Sequence, residues 1–232
     1  MSPFLALPLT LLATATAAEP GLWLEQEEEI EVVELNEDNG EPWKWCYKQR
    51  LRNGVQLPAN PPLYIRRRPE EAWGTPEMIE VLTAAAEEMA WVRPEADPIV
   101  VGDISTRRGG RLQGHKSHRG GVDADIGLYW GDGRMYSNGF KDVSARDLDA
   151  ETNWLLIRAM LETGHVERIL LDNKLVNKLR RYVIREGHLT HSEAWKVFPT
   201  PGTKMWEMDG VVHHSPGHRH HMHVRVFCPV LQ

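Results

Sequence analysis

Cysteine is scarce: two residues in a chain of 232. That excludes a small disulfide-built scaffold, and it excludes an all-thiolate zinc centre, which needs four. A surplus of positive charge is also missing, since 27 Lys and Arg face 33 Asp and Glu for a formal charge of -6. A protein that binds nucleic acid through the phosphate backbone needs such a surplus, so no nucleic-acid partner is expected. Apolar runs of about 20 residues, the length that crosses a bilayer, do not occur. Internal repeats are lacking too, which excludes a solenoid. What remains is ordinary for a globular protein, 41% hydrophobic and 26% charged. The length corresponds to one or two domains. Eleven histidines and nine tryptophans are the unusual counts.

Met1 to Ala18 carries no charged side chain and runs through Phe4, Leu5, Leu7, Leu9, Leu11 and Leu12 to Ala15-Thr16-Ala17. This reads as a secretory signal peptide cleaved near Ala17 or Ala18. No cysteine follows the apolar core, so no lipid anchor is expected, and the mature protein should be periplasmic or secreted. In an oxidising compartment Cys46 and Cys228 are most simply a disulfide, the alternative being two buried thiols. Residues 19–62 read as an acidic leader, Glu25 to Asp38, followed by a proline-rich extended arm around Pro58, Pro61 and Pro62. Residues 63–232 then form the main domain.

Within that domain Thr75-Pro76-Glu77 combines an N-cap, a first-position proline and an acid, with Met78, Val81, Leu82, Ala85 and Met89 following at helical spacing. Strands are predicted at Pro98–Ser105, Val122–Trp130, Val166–Leu171 and His221–Phe227. Helices are predicted after Asp149, ending at Gly164, and over Asn173–Glu186, closed by Gly187. The mixture predicts an α+β fold, a small antiparallel sheet with flanking helices.

Eight of the histidines fall into two short segments. One is His115-Lys116-Ser117-His118-Arg119-Gly120-Gly121-Val122-Asp123-Ala124-Asp125. The other is His213-His214-Ser215-Pro216-Gly217-His218-Arg219-His220-His221-Met222-His223. Side chains alternate along a strand, so His221 and His223 share one face while Met222, Val224 and Val226 take the other. Asp123, Asp125 and Gly127 likewise share a face opposite Ala124, Ile126 and Leu128. Two such strands side by side would floor a pocket with metal-binding groups. Three His or Asp ligands with a fourth position open is the arrangement of catalytic zinc, which activates water near neutral pH.

His118 followed after six residues by Asp125, and a distant His221-Met222-His223, resemble the signature of the LAS-type zinc peptidases, which share a fold with sonic hedgehog. Gly102-Asp103-Ile104-Ser105, Arg108-Gly109-Gly110, Gly114-His115, Asp123-Ala124-Asp125-Ile126 and Pro216-Gly217-His218-Arg219-His220-His221-Met222-His223-Val224-Arg225 are similar to the penicillin-insensitive murein endopeptidases. The likeness covers roughly Ile99 to Pro229. It implies a zinc endopeptidase that cuts peptide cross-links of bacterial peptidoglycan, with peptide stems as partners. A D,D-carboxypeptidase or dipeptidase of the same fold, or a non-catalytic zinc-binding module, is the alternative. It further implies His118, Asp125 and His223 as ligands of one zinc ion, with His115 as an accessory ligand should a second ion bind. His221 and His218 are implied as the proton-handling histidines. Asp123 is expected to orient a ligand. Arg107, Arg108 and Arg111 have the planar fork that suits a substrate carboxylate. His213, His214 and His220 read as loop decoration, His165, His188 and His191 as surface residues, and Trp195 and Trp206 as groove walls.

Overall fold

The computed structural model describes residues 50–131, 133–199 and 210–228. The predicted signal peptide, the acidic leader, Cys46 and Trp206 lie outside the described residues, and with Cys46 lies its pairing to Cys228. All described residues belong to one unit, Glu37–Gln232.

Each helix starts where a short polar side chain can accept from a free backbone N–H. Thr75 accepts from Met78 N at the start of helix α1 (Pro76–Val92), and Pro76 occupies the first position. Met78, Ile79, Val81, Leu82, Ala85, Ala86 and Met89 form its buried stripe. Asp149 caps helix α2 (Ala150–Glu162) through Thr152 N, and its other oxygen accepts from Gly133 N at 2.9 Å, tying a distant loop to the same cap. Asp172 caps helix α3 (Asn173–Arg185), whose inward face is Leu175, Val176, Leu179 and Val183. Helix α4 (His191–Val197) opens with a capping box, Thr190 and Glu193 bonding each other's backbone N–H.

The strands are β1 (Val55–Gln56), β2 (Tyr64–Arg66), β3 (Trp73–Gly74), β4 (Ile99–Val101), β5 (Asp123–Gly127), β6 (Val166–Leu171), β7 (Val212–His214) and β8 (His221–Val226). β1 and β3 form a two-stranded antiparallel sheet. The main sheet has six strands in the order β2-β4-β5-β8-β6-β7. The α+β reading holds, but the sheet is larger and less uniform than predicted. Its middle is antiparallel from β4 through β5 and β8 to β6, whereas β2 joins β4 and β7 joins β6 in parallel.

One face of this sheet is apolar. Ala124, Ile126, Met222, Val224 and Val226 are at most 1% exposed and share a single core with the buried stripes of α1, α2 and α3. Leu57, ahead of position 63, joins it as well and has no exposed surface. Gly121 turns the chain into β5 with φ +74, and a Cβ there would meet Leu51 and the backbone of Gly74. No helix among the described residues is long and apolar enough to cross a membrane.

Candidate functional site

The polar face of the sheet's middle carries the site. β5 and β8 pair in a register that sets Asp123 opposite Arg225, Asp125 opposite His223 and Gly127 opposite His221. Directly opposed residues of an antiparallel pair project to the same side. Burying Met222, Val224 and Val226 therefore forces His221, His223 and Arg225 to the other side, beside Asp123 and Asp125. His118 comes from the long loop between β4 and β5 and is 1% exposed.

Three atoms converge there. His118 Nε2 lies 3.2 Å from Asp125 Oδ1 and 3.2 Å from His223 Nδ1, and His223 Nδ1 lies 3.1 Å from Asp125 Oδ1. The far side of each ring is already engaged. His118 Nδ1–H donates to the Ile104 carbonyl at 3.1 Å, and His223 Nε2–H donates to Asp123 Oδ1 at 2.8 Å. Those bonds occupy the outer nitrogens, so both inner nitrogens face Asp125. Two ring nitrogens and a carboxylate oxygen this close need a cation among them, either a proton on His223 or a metal ion. Zinc bonded tetrahedrally at about 2.0–2.1 Å separates its ligand atoms by roughly 3.3–3.4 Å, so the three atoms fit its coordination face. His115, His118 and Asp125 form an overlapping group, with ligand atoms within 4.8 Å of one another, that could also hold a metal ion.

The surroundings act on charge in opposite ways. Burial alone would raise the Asp123 carboxyl, but hydrogen bonds from His223 and Arg225 outweigh it and hold it at about 2. Burial would likewise raise Asp125, and its contacts with His118 and His223 push it well below the ordinary carboxylate range instead. For His223 burial favours the neutral ring, yet Asp123 and Asp125 together lift it to about 9. His221 is dominated by burial, which takes it down to about 3 despite Asp125 nearby. Its Nε2 is 3.4 Å from Asp125 Oδ1. His218 packs edge-on against His221, with ring centroids 5.1 Å apart, and burial lowers it too.

Around this centre opens a cleft of about 670 Å³, in the size range of ligand sites. Of the sequence-predicted residues, His115, His118, Asp125, His218, His221 and His223 all line it. Asp123 lies beneath it with no exposed surface and accepts from His223 Nε2–H. Arg108 does not reach it; Arg107 and Arg108 are exposed, and Arg107 lies over the Trp73 ring instead. The loop bearing them turns away at Gly109, whose φ is +63. Arg67, Arg68, Lys116, Arg168 and Arg225 supply the cleft's positive charge. His220 lines the cleft, while His213 is buried in β7 and bonds the Gly210 carbonyl at 2.7 Å. Trp195 lies under Arg180, away from the cleft lining.

Sequence reasoning missed two features. Asp103 is 4% exposed, and its Oδ2 accepts from His115 Nε2 at 2.9 Å and faces Arg68 at 3.4 Å. These partners outweigh burial, which would raise the carboxyl, and lower it; the same hydrogen bond raises His115. An acid at the end of an apolar strand run was the available signal. Phe140 is the other, an aromatic after Gly139 in a glycine-rich loop, with its ring centre 5.3 Å from that of His221.

Comparison with known proteins bears on the same residues. No curated protein matches the chain. Residues 46–191 match the penicillin-insensitive murein endopeptidase family, beginning well ahead of the likeness read from the motifs and ending before the second histidine segment. His115, His118, Asp123 and Asp125 fall inside the match. Since it covers more than half of the sequence, the chain belongs to the penicillin-insensitive murein endopeptidase family.

Proposed function

We propose that this protein is an exported, zinc-dependent endopeptidase that hydrolyses D-alanyl–diaminopimelate cross-links of peptidoglycan. Family membership indicates murein endopeptidase activity on peptidoglycan. The bond is the one that the resemblance to the family implies, and the metal rests on the site. One observation supports the metal: His118 Nε2, Asp125 Oδ1 and His223 Nδ1 meet within 3.2 Å while each ring's outer nitrogen is held by its own acceptor.

His118, Asp125 and His223 would hold the zinc ion, with His115 as an accessory ligand should a second ion bind. Zinc bound there supplies a Lewis acid that polarises the scissile carbonyl and makes water more acidic. The chain's own residues do the rest. Asp123 keeps the His223 ring in one tautomer and one orientation, and Ile104 does so for His118. His221 and His218, adjacent on the cleft wall, take the proton from the attacking water, deliver it to the leaving amine and steady the developing oxyanion. Asp103 orients His115. A cell-wall substrate supports a mature protein in the periplasm or outside the cell, where Cys46 and Cys228 would pair.

Incubating the protein with cross-linked muropeptides and following products by mass tests the proposal. Dimers should fall to monomers with wild-type protein and persist with His223→Ala. If dimers persist with wild type while monomer stems shorten, the protein is a carboxypeptidase and the endopeptidase reading is wrong.

A further inference from the structure

Five cations line the cleft, and three are committed to acids. Arg225 Nε bonds Asp123 at 2.6 Å, Arg168 bonds Glu167 at 2.6 Å, and Arg68 bonds Glu71 at 2.6 Å and faces Asp103. Arg67 and Lys116 have no carboxylate within ion-pair distance among the described residues. They differ in how they are held. Lys116 is exposed on the Gly-rich loop. Arg67 follows β2 directly, and its backbone N–H donates to the Val101 carbonyl at 2.9 Å, continuing the sheet. Its guanidinium carbon lies 4.4 Å from the centre of the Phe140 ring.

Phe140 is itself wedged. A Cβ on Gly102 would lie 2.7 Å from the ring, so only glycine lets the ring sit against β4's end. The same ring is the neighbour of His221. One aromatic side chain thus fixes the position of a carboxylate-free arginine and adjoins the catalytic histidine. A guanidinium held over a ring by its carbon keeps N–H edges in its own plane, the geometry that grips a carboxylate with two parallel hydrogen bonds.

We infer that Arg67, held on Phe140, is the specificity-determining anchor for a substrate carboxylate beside the scissile bond. This rests on the proposed function for the chemical class of the substrate, a peptide stem carrying free carboxylates. The committed arginines already have their charge offset by buried or half-buried acids, which weakens their pull on a further carboxylate. Lys116 lacks the planar fork and the fixed seat.

Binding, not turnover, is the measurement, so failure of the peptidase reading would leave the result standing. The probes are a tripeptide stem ending in diaminopimelate, which has no cross-link to cut, and the same stem with its carboxyls converted to carboxamides. Titration calorimetry on the whole protein should show the acidic stem binding roughly 10- to 100-fold tighter than the amide. In Arg67→Met the two affinities should become equal, with amide binding unchanged, which also reports that the variant is folded. Phe140→Leu should narrow the ratio part of the way, and Lys116→Met should leave it intact. The inference is overturned if Arg67→Met keeps the wild-type ratio, if Lys116→Met collapses it instead, or if wild type does not distinguish the two stems.

Discussion

Two histidines with similarly little exposed surface behave in opposite ways. His223 in β8 is 6% exposed and His213 in β7 is 3% exposed. Two carboxylates overcome burial at His223 and lift it to about 9. Nothing of that kind overcomes burial at His213, which falls below its ordinary value despite its bond to Gly210. The first sits on the antiparallel middle of the sheet, where β5 delivers two acids to its ring; the second sits on an edge strand joined in parallel, where the pull of Glu167 is opposed by Arg168. Burial alone therefore does not mark a functional histidine. The acids opposite it do.

The comparison can be broken most sharply by deletion. His223→Ala should lose its metal and at least about 10³-fold in activity, whereas His213→Ala should retain bound metal and most activity. Metal content by mass spectrometry alongside muropeptide release checks both. Chelation of wild type should copy the first result and lower the melting temperature, because zinc bound only by the native state at 100 times its Kd adds about 2.7 kcal/mol. Turning to the reverse face of β8, Met222→Ala removes a side chain with no exposed surface. It should cost about 2–5 kcal/mol in denaturant unfolding while the zinc content per folded molecule is unchanged.

A subtler break is Asp123→Asn, which leaves the ligands in place and weakens the partner that orients His223. Metal affinity should drop about 10- to 100-fold in chelator competition. The smallest effect concerns pH. His213 has a folded pKa below 6.5, so the unfolded chain takes up its proton first as pH falls. Its contribution to stability is present above pH 6.5 and declines as pH drops below it. Melting temperatures of wild type and His213→Gln across that range should diverge above pH 6.5 and converge below it. A parallel pH dependence of the two would show that His213 is not the group responsible.

Much of this was readable from alternation and caps. The buried stripe of α1, the cap at Asp149 and the two-faced character of β8 follow from residue spacing, and the predicted Val166–Leu171 strand matches β6. Strands of two or three residues, such as β1, β3 and β7, are too short to show a period. β7 reads Val-His-His, with no apolar alternation, so its place beside β6 depends on tertiary pairing. α4 was hidden because its buried residue is a single Ala194. At the site, His118, Asp125 and His223 belong to spaced motifs, and the structure brings them together. Asp103, Arg67 and Phe140 were not legible, because what matters about them is contact between segments far apart in the chain.

The register between β5 and β8 carries one more consequence. Sliding β8 by a single residue would turn its apolar side chains outward, and hydrophobic burial would forbid it. A slide of two residues keeps every face correct and costs the core little by pattern alone. It would, however, bring His221 or Arg225 opposite Asp125 in place of His223, and the present triangle, with Asp123 holding the ligand ring from behind, would be lost. Metal affinity thus distinguishes alignments that oil-and-water sorting leaves nearly degenerate. The ion would act as a vernier for the final strand, locking the one alignment in which the enzyme can work.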